Sequence, residues 1–563
     1  LEALPPDTSR LLRLAAADPT GERLLVWRAA GQLGIGAGAA IPAVESGLVE
    51  FGMRVRFRHP LIRSVAYRSG SLAERQEIHR ALAEATDAEL DPDRRAWHRG
   101  QAVQTPDEEV AAELESSADR ARARGGIAAA GAFLARAVAL SPDPRERGRR
   151  AVAAAEAERE SGSPHEALSL LSVAEQSPLD EPLRVQVDLI RAFVAFAVNR
   201  GSDAPPLLLA AAKRLEPLNP ARARETYLAA LRAAFYAGRF NQGGLKSVAL
   251  AARRAPPAAD PPRGVDMLLD GLALTMTEGY AAGVPALKGA LGAFDDPSVS
   301  VEELLGWGDL ACQAAFLLWD DRWGTISERM LKVSRAVGAG SALPLALTFA
   351  CGWRTACGEL DAAAALVHEL EVVAEATRTS QAVLGGAALA AWRGNEAAAM
   401  ELLQPMREDA LARGEGLVLT FVDWTSAILY NGLGKYEQAL EAATLAYEHS
   451  EVEKWSPLVM HELVEAAVRS GERARAVPIL ARLAEMASVV GTDKVLGLDA
   501  RSRALVGEGE DAERLYLEAI EYLGRTAARV EVARAHLLYG EWLRREGRRT
   551  DGREQPVSML GAA

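Results

Sequence analysis

The chain has 563 residues, too many for one hydrophobic core, so several domains or a repeat array is expected. Its composition is 49% apolar, 25% charged and only 6% aromatic, which favours closely packed alanine-rich helices over sandwiches or barrels. Lys and Arg total 64 against 77 Asp and Glu, a net charge of −13, which argues against a general nucleic-acid binder because phosphate neutralisation needs clustered basic residues. Three cysteines (Cys312, Cys351, Cys357) lack metal-ligand spacing and read as buried thiols in a reduced, cytoplasmic compartment. No apolar run approaches the ~20 residues of a membrane helix, no signal-peptide pattern is seen, and no membrane association is expected. The sequence begins at Leu1, so a fragment of a longer protein is one expectation.

Residues 1–70 form a small module. The segment LLVWRAAGQLGIG predicts a helix ending in glycine, with Leu24, Leu25, Trp27 and Leu33 turned inward, followed by a short helix that stops at Gly47. Leu48, Val49 and Phe51, a turn near Gly52, and Val55 and Phe57 alternating with Arg54, Arg56 and Arg58 predict a β-hairpin. Helix, helix, hairpin is the order of a winged helix. Gly34, Gly36 and Ala39 fit a loose dinucleotide fingerprint, but a helix precedes them where the motif needs a strand. Arg54, Arg56 and Arg58, with Arg63, are candidates for a wing contact to phosphate; a solvated hairpin face is the alternative, and the acidic chain favours it. Connecting helices are expected over 71–124, opened by a Ser71–Glu74 capping box.

From residue 125 to 555 the pattern repeats. In FVDWTSAILYNGLGKYEQALEAATLAYEHS (421–450), two amphipathic helices meet at Gly434, and Ala439, Ala443 and Ala446 follow at helical spacing. The same register recurs after Gly125, Gly162, Gly201, Gly238, Gly279, Gly358, Gly394, Gly471, Gly507 and Gly547, and once without glycine at Asp321. Successive turns are 36–42 residues apart. That pitch predicts an all-α tetratricopeptide-like α-solenoid of about twelve helix pairs, with helices or loops longer than the strict 34-residue repeat allows. RRAPPAADPPRG (253–264) and AFDDPSVSVEE (293–303) read as two such loops, and 556–563 as an irregular tail.

Catalytic signatures are absent from the sequence. LGKYE (433–437) is no phosphate loop and HELVE (461–465) lacks the second histidine of a zinc motif. The eight histidines are scattered along the chain, and the carboxylates lie near arginines, where solvated helix-surface pairs are the default. No catalytic, cofactor-binding or metal residue is assigned, and no enzyme activity is expected. The candidate ligand or partner contact is WDDRW (319–323), with Trp319, Asp320, Arg322 and Trp323; the alternative is that the tryptophans fill core positions of their repeat.

RFRHPLIRSVAY (56–67), AERQEIHRALAEAT (73–86), DPDRRAWHRGQA (91–102), ADRARARGGIAAAGAFLARAVALSPD (118–143), NRGSDAPPLL (199–208) and LLYGEWLRREGRR (537–549) resemble the large LuxR-type regulators of actinobacteria, the MalT-like group. That resemblance implies an AAA+/STAND ATPase leading into a winged helix, a tetratricopeptide-like arm and a C-terminal helix-turn-helix. Neither the ATP-binding loop nor the DNA-reading helix occurs among these residues, so ATP, Mg and DNA are implied only for a full-length protein. The expected role is a signal-sensing and protein-interaction arm that binds an effector small molecule or protein on its array and is compatible with oligomers. The alternative is a stand-alone tetratricopeptide scaffold for partner proteins or peptides.

Overall fold

The structure, a computed structural model, describes residues 4–198, 201–241, 244–337, 342–377, 384–453 and 457–548. The chain divides into two compact units, Leu1–Val194 and Ala195–Ala563, a division that falls inside the repeat array.

The first unit opens with α1 (Pro6–Ala17), α2 (Arg23–Gln32), the short α3 (Ile41–Glu45) and the hairpin β1 (Val49–Phe51)–β2 (Val55–Phe57). The strands pair antiparallel with Val49 opposite Phe57 and Phe51 opposite Val55, so both valines point into the core. Leu25 is buried there and Trp27 packs on Phe51, but Leu24 is 72% exposed. The correction is geometric: Leu25, Val26, Ala29 and Ala30 already fill the inward face of α2, which rotates Leu24 to solvent. Next come α4 (Pro60–Arg68), α5 (Leu72–Ala85) and α6 (Pro92–Ala102). Ser71 and Glu74 close the capping box of α5 reciprocally. Repeats then begin with α7 (Glu108–Ala123) and α8 (Ile127–Leu140), followed by α9 (Pro144–Glu160) and α10 (Pro164–Glu175), and α11 (Glu181–Val198) opens the third.

The second unit continues the series with α12 (Ala204–Leu215), α13 (Pro220–Ala237), α14 (Gly244–Ala252), α15 (Gly264–Thr277) and α16 (Tyr280–Asp295). It proceeds through α17 (Val301–Leu317), α18 (Arg322–Val337), α19 (Leu343–Ala356), α20 (Leu360–Thr377), α21 (Leu384–Trp392) and α22 (Glu396–Arg413). It ends with α23 (Gly416–Gly432), α24 (Tyr436–Glu453), α25 (Pro457–Arg469), α26 (Arg473–Val490), α27 (Asp493–Val506), α28 (Gly509–Gly524) and α29 (Arg529–Arg545). The protein is an all-α, tetratricopeptide-like solenoid with one small hairpin near its N-terminus. Most of the face that the repeat register predicts is buried: Ala439, Ala443 and Ala446 are fully buried, as are Ala167, Leu171 and Ala174, while Val333, Val367 and Leu480 are half-buried. Helices of 18 residues (α11, α13, α20, α22, α24, α26) account for a pitch longer than 34 residues.

Gly434 takes φ +70° between α23 and α24, a left-handed turn that a Cβ would strain. The other predicted turn glycines for which a left-handed φ is found are Gly125, Gly162, Gly238, Gly279, Gly358, Gly394, Gly471 and Gly547. Gly507 differs: its φ is −71°, and Gly509 supplies the left-handed residue two positions later. Gly201 lies between α11 and α12. In the repeat without glycine the left-handed position falls on Trp319, at φ +46°. The proline-rich loop between α14 and α15 is as predicted, whereas the acidic one shortens to 296–300 because α16 and α17 extend into it. The expected tail lies outside the described residues. Among the described residues, no helix is long and apolar enough to cross a membrane.

The candidate ligand cavity in the second unit

Helices of the second unit do more than stack on their neighbours. Turns roughly five repeats apart touch: Lys288 Nζ donates to the Val490 carbonyl (2.8 Å) and Thr492 Oγ1 to that of Leu318 (3.3 Å). The amide of Ala527 donates to Asp321 Oδ2 (3.0 Å), and Arg239 reaches both Thr420 and Asp423. α13 approaches α23 so closely that a Cβ on Gly416 would sit 2.5 Å from the Ala237 carbonyl oxygen. Only glycine permits that crossing.

This curvature turns the first helices of most of these pairs inward. α13, α17, α19, α21, α23, α25, α27 and α29 all contribute to one cavity of about 240 Å³. Its wall is aromatic: Phe316, Phe349, Trp392, Phe421 and Trp424 come from four different helices. Phe316 packs against Trp323 with ring centroids 4.3 Å apart, and Trp424 meets Phe421 edge-to-face at 5.5 Å.

Of the WDDRW cluster, Trp319, Asp320 and Trp323 line the cavity. Trp319 and Trp323 are only 3% and 7% exposed, so they serve core packing and cavity wall together. Arg322 instead clamps Asp320 with two hydrogen bonds and donates to the Lys288 carbonyl. Burial pushes the Asp320 carboxyl up, but the Arg322 bonds outweigh it and hold it below the usual carboxylate range.

At one side of the cavity lies a buried ionic network that the sequence did not announce. Glu462 accepts from both Arg534 nitrogens (2.5 and 2.8 Å) and from Asn431 (2.8 Å). Glu531 accepts from Arg501 (2.6 Å), and Glu465 pairs with Arg534. Desolvation raises the Glu531 carboxyl, yet Arg501, His461 and Arg534 outweigh it and bring it to about 2. Glu465 goes the other way, raised by burial with Arg534 offsetting only part. His461 is held neutral-leaning by desolvation against the pull of Glu531 and Glu462. These acids were expected on solvated helix surfaces. They are buried because α25, α27 and α29 each turn a charged residue into the same inter-helix layer, a juxtaposition with no local signature.

The histidines of the first unit are likewise not all isolated. His79 Nδ1 lies 2.9 Å from His98 Nδ1, and the Tyr67 hydroxyl 2.8 Å from His79 Nε2. The hairpin arginines Arg54, Arg56 and Arg58 are exposed, while Arg63 donates to the Ala16 carbonyl. Cys312, Cys351 and Cys357 are free thiols, and burial pushes Cys351 and Cys357 up to about 11, away from nucleophilic thiolates. Among the described residues no group of three or more His, Cys, Asp or Glu is placed to hold a metal ion.

No protein-family model matches the chain, and no curated protein matches it in sequence. Solved structures with related helical architecture include the apo form of RapI (11% identity, TM-score 0.28, covering 73% of this chain and 97% of that one). A second is PH0952 from Pyrococcus horikoshii, a STAND protein with a tetratricopeptide repeat sensor (12%, TM-score 0.23, 97% of this chain and 64% of that one). A third is yeast Tom70 (12%, TM-score 0.21, 86% and 93%).

Proposed function

We propose that the chain is the signal-sensing arm of a LuxR-type transcriptional regulator, whose ATPase and DNA-reading activities belong to domains outside these residues. The observation that carries the sensing role is the convergence of eight first helices, spread over residues 220–545, on one aromatic cavity. A molecule seated there touches many repeats at once. Small rotations between repeats add along a solenoid, so an occupant that favours one curvature shifts the population of the whole array. The cross-turn contacts at Val490, Leu318 and Asp321 are the bonds that such a change in curvature would make or break.

The stand-alone scaffold makes a different demand. A peptide-holding groove needs a long open concave face, whereas the inward helices here converge on one cavity of about 240 Å³. The regulator reading is tested by the coding frame on both sides of this sequence. A phosphate-loop motif upstream and a basic helix-turn-helix downstream would support it; stop signals close to both ends would overturn it in favour of the scaffold.

A further inference from the structure

The cavity wall is apolar and aromatic, so the charged groups on it decide what kind of molecule fits. Its carboxylates are already matched. Asp320 is held by Arg322, Glu462 by Arg534 and Asn431, and Glu531 by Arg501. Lys494 is the exception: among the described residues it has no carboxylate partner, and its ammonium lies 5.8 Å from the centroid of the Trp323 ring. Among the charged side chains that line the cavity, the one without an ion-pair partner among the described residues is therefore a cation. A cationic occupant would be repelled by it, and an anionic occupant would pair with it.

Hydrogen-bonding capacity points the same way. The indole N–H groups of Trp319, Trp323 and Trp424 are covered from solvent and find no protein acceptor. Unmade buried donors are costly, so an occupant bearing acceptor oxygens is favoured over a purely hydrocarbon one. At about 240 Å³ the space takes a small molecule, and its sparse polar lining suits rings or an acyl chain better than a polyhydroxylated one.

We infer that the cavity binds an aromatic or acyl monoanion, its apolar body against the Phe316–Trp424 wall and its carboxylate on Lys494. This rests on the sensing role proposed above and names the chemistry of the effector. The unmatched lysine selects against amines, and the paired arginines keep the neighbouring acids from repelling the anion.

The test uses the full chain and three matched probes: naphthoate, naphthalenemethanol and naphthylmethylammonium, titrated by calorimetry and tryptophan fluorescence. Naphthoate is expected to saturate a single site at least about tenfold more tightly than the ammonium probe. Lys494→Met should weaken naphthoate by about tenfold, leave naphthalenemethanol unchanged, and be rescued by Lys494→Arg. Ala388→Trp and the milder Ala388→Phe, each filling the cavity from α21, should abolish naphthoate binding with the helical signal and melting cooperativity retained. Equal or tighter ammonium binding, or naphthoate affinity indifferent to Lys494→Met, overturns the anion assignment; if probe binding is still lost on filling at Ala388, the cavity remains a ligand site. Naphthoate binding that survives both Ala388 variants places it elsewhere and overturns the inference, as does failure of all three probes to bind. The coding-frame test is independent of these outcomes, so the regulator reading and the ligand chemistry fail separately.

Discussion

Trp323 and Trp353 cross edge-to-face, their ring centroids 5.4 Å apart, and each lies over a glycine beside the other: Trp353 over Gly324, Trp323 over Gly352. The missing Cβ atoms let α18 and α19 approach until both indoles interlock, and this pair fixes one wall of the cavity. Gly324→Ala would place a methyl group inside the Trp353 indole and should destabilise by about 1–3 kcal/mol, as overpacking does. Gly306→Ala, on α17 with nothing within 4 Å, should instead stabilise by about 0.5–1 kcal/mol. Urea midpoints of the two variants should move in opposite directions; a shift of both in one direction would contradict the interlock.

The second expectation concerns the repeat interface. Ala439 is fully buried where α24 packs into the stack, so Ala439→Leu should cost about 1–3 kcal/mol. A denaturant midpoint equal to the parent's would show that the helices there have room to spare.

Glu462 and Arg534 form the centre of the buried network. Arg534→Met leaves Glu462 and Glu465 without their cation and should cost about 3–5 kcal/mol. Adding Glu462→Gln should recover part of that loss, which a double-mutant cycle of unfolding free energies would measure. Independent additive losses would mean that the two side chains do not act as a pair.

Acid should weaken the protein in two windows. His79 is depressed to about 3 by burial and by the His98, Arg75 and Arg136 charges, and His98 to about 4 by burial, with Asp18 opposing. Unfolded histidines bind protons below their ordinary value of about 6.5, while the folded pair resists doing so. Stability is therefore complete above that value and declines as the pH falls toward 4. Glu531, depressed to about 2, adds stability above the unfolded carboxyl range that is lost as pH falls from there through 2. Unfolding midpoints at pH 7 and pH 5 should differ less in His79→Gln/His98→Gln than in the parent; an unchanged slope would rule out the pair as its source.

Asp321 links turns that are 206 residues apart in sequence by accepting from the Ala527 amide. Asp321→Ala should cost about 1.5–3 kcal/mol and raise hydrogen exchange at Ala527 selectively. Protection unchanged at that amide would mean that the cross-turn contact does not hold the coil.

Much of the fold can be read along the chain. The recurring glycine turn, with small residues such as Ala439, Ala443 and Ala446 after it, reports a face that must be buried against the next pair, and that face is a local property of 3.6-residue periodicity. The hairpin is legible for the same reason, through the alternation of Val49 to Phe57. Trp319 and Trp323 stand out as an aromatic cluster, but their sequence neighbourhood does not say that Trp392 and Trp424 share their cavity. Nor does it show that Glu462 meets Arg534, or that Lys288 meets Val490. Periodicity specifies which side of a helix faces inward; the rotation from one pair to the next is a small packing angle that leaves no pattern of its own. Summed over five pairs, that angle decides whether the array stays open or returns upon itself, and only the tertiary structure reveals that it returns.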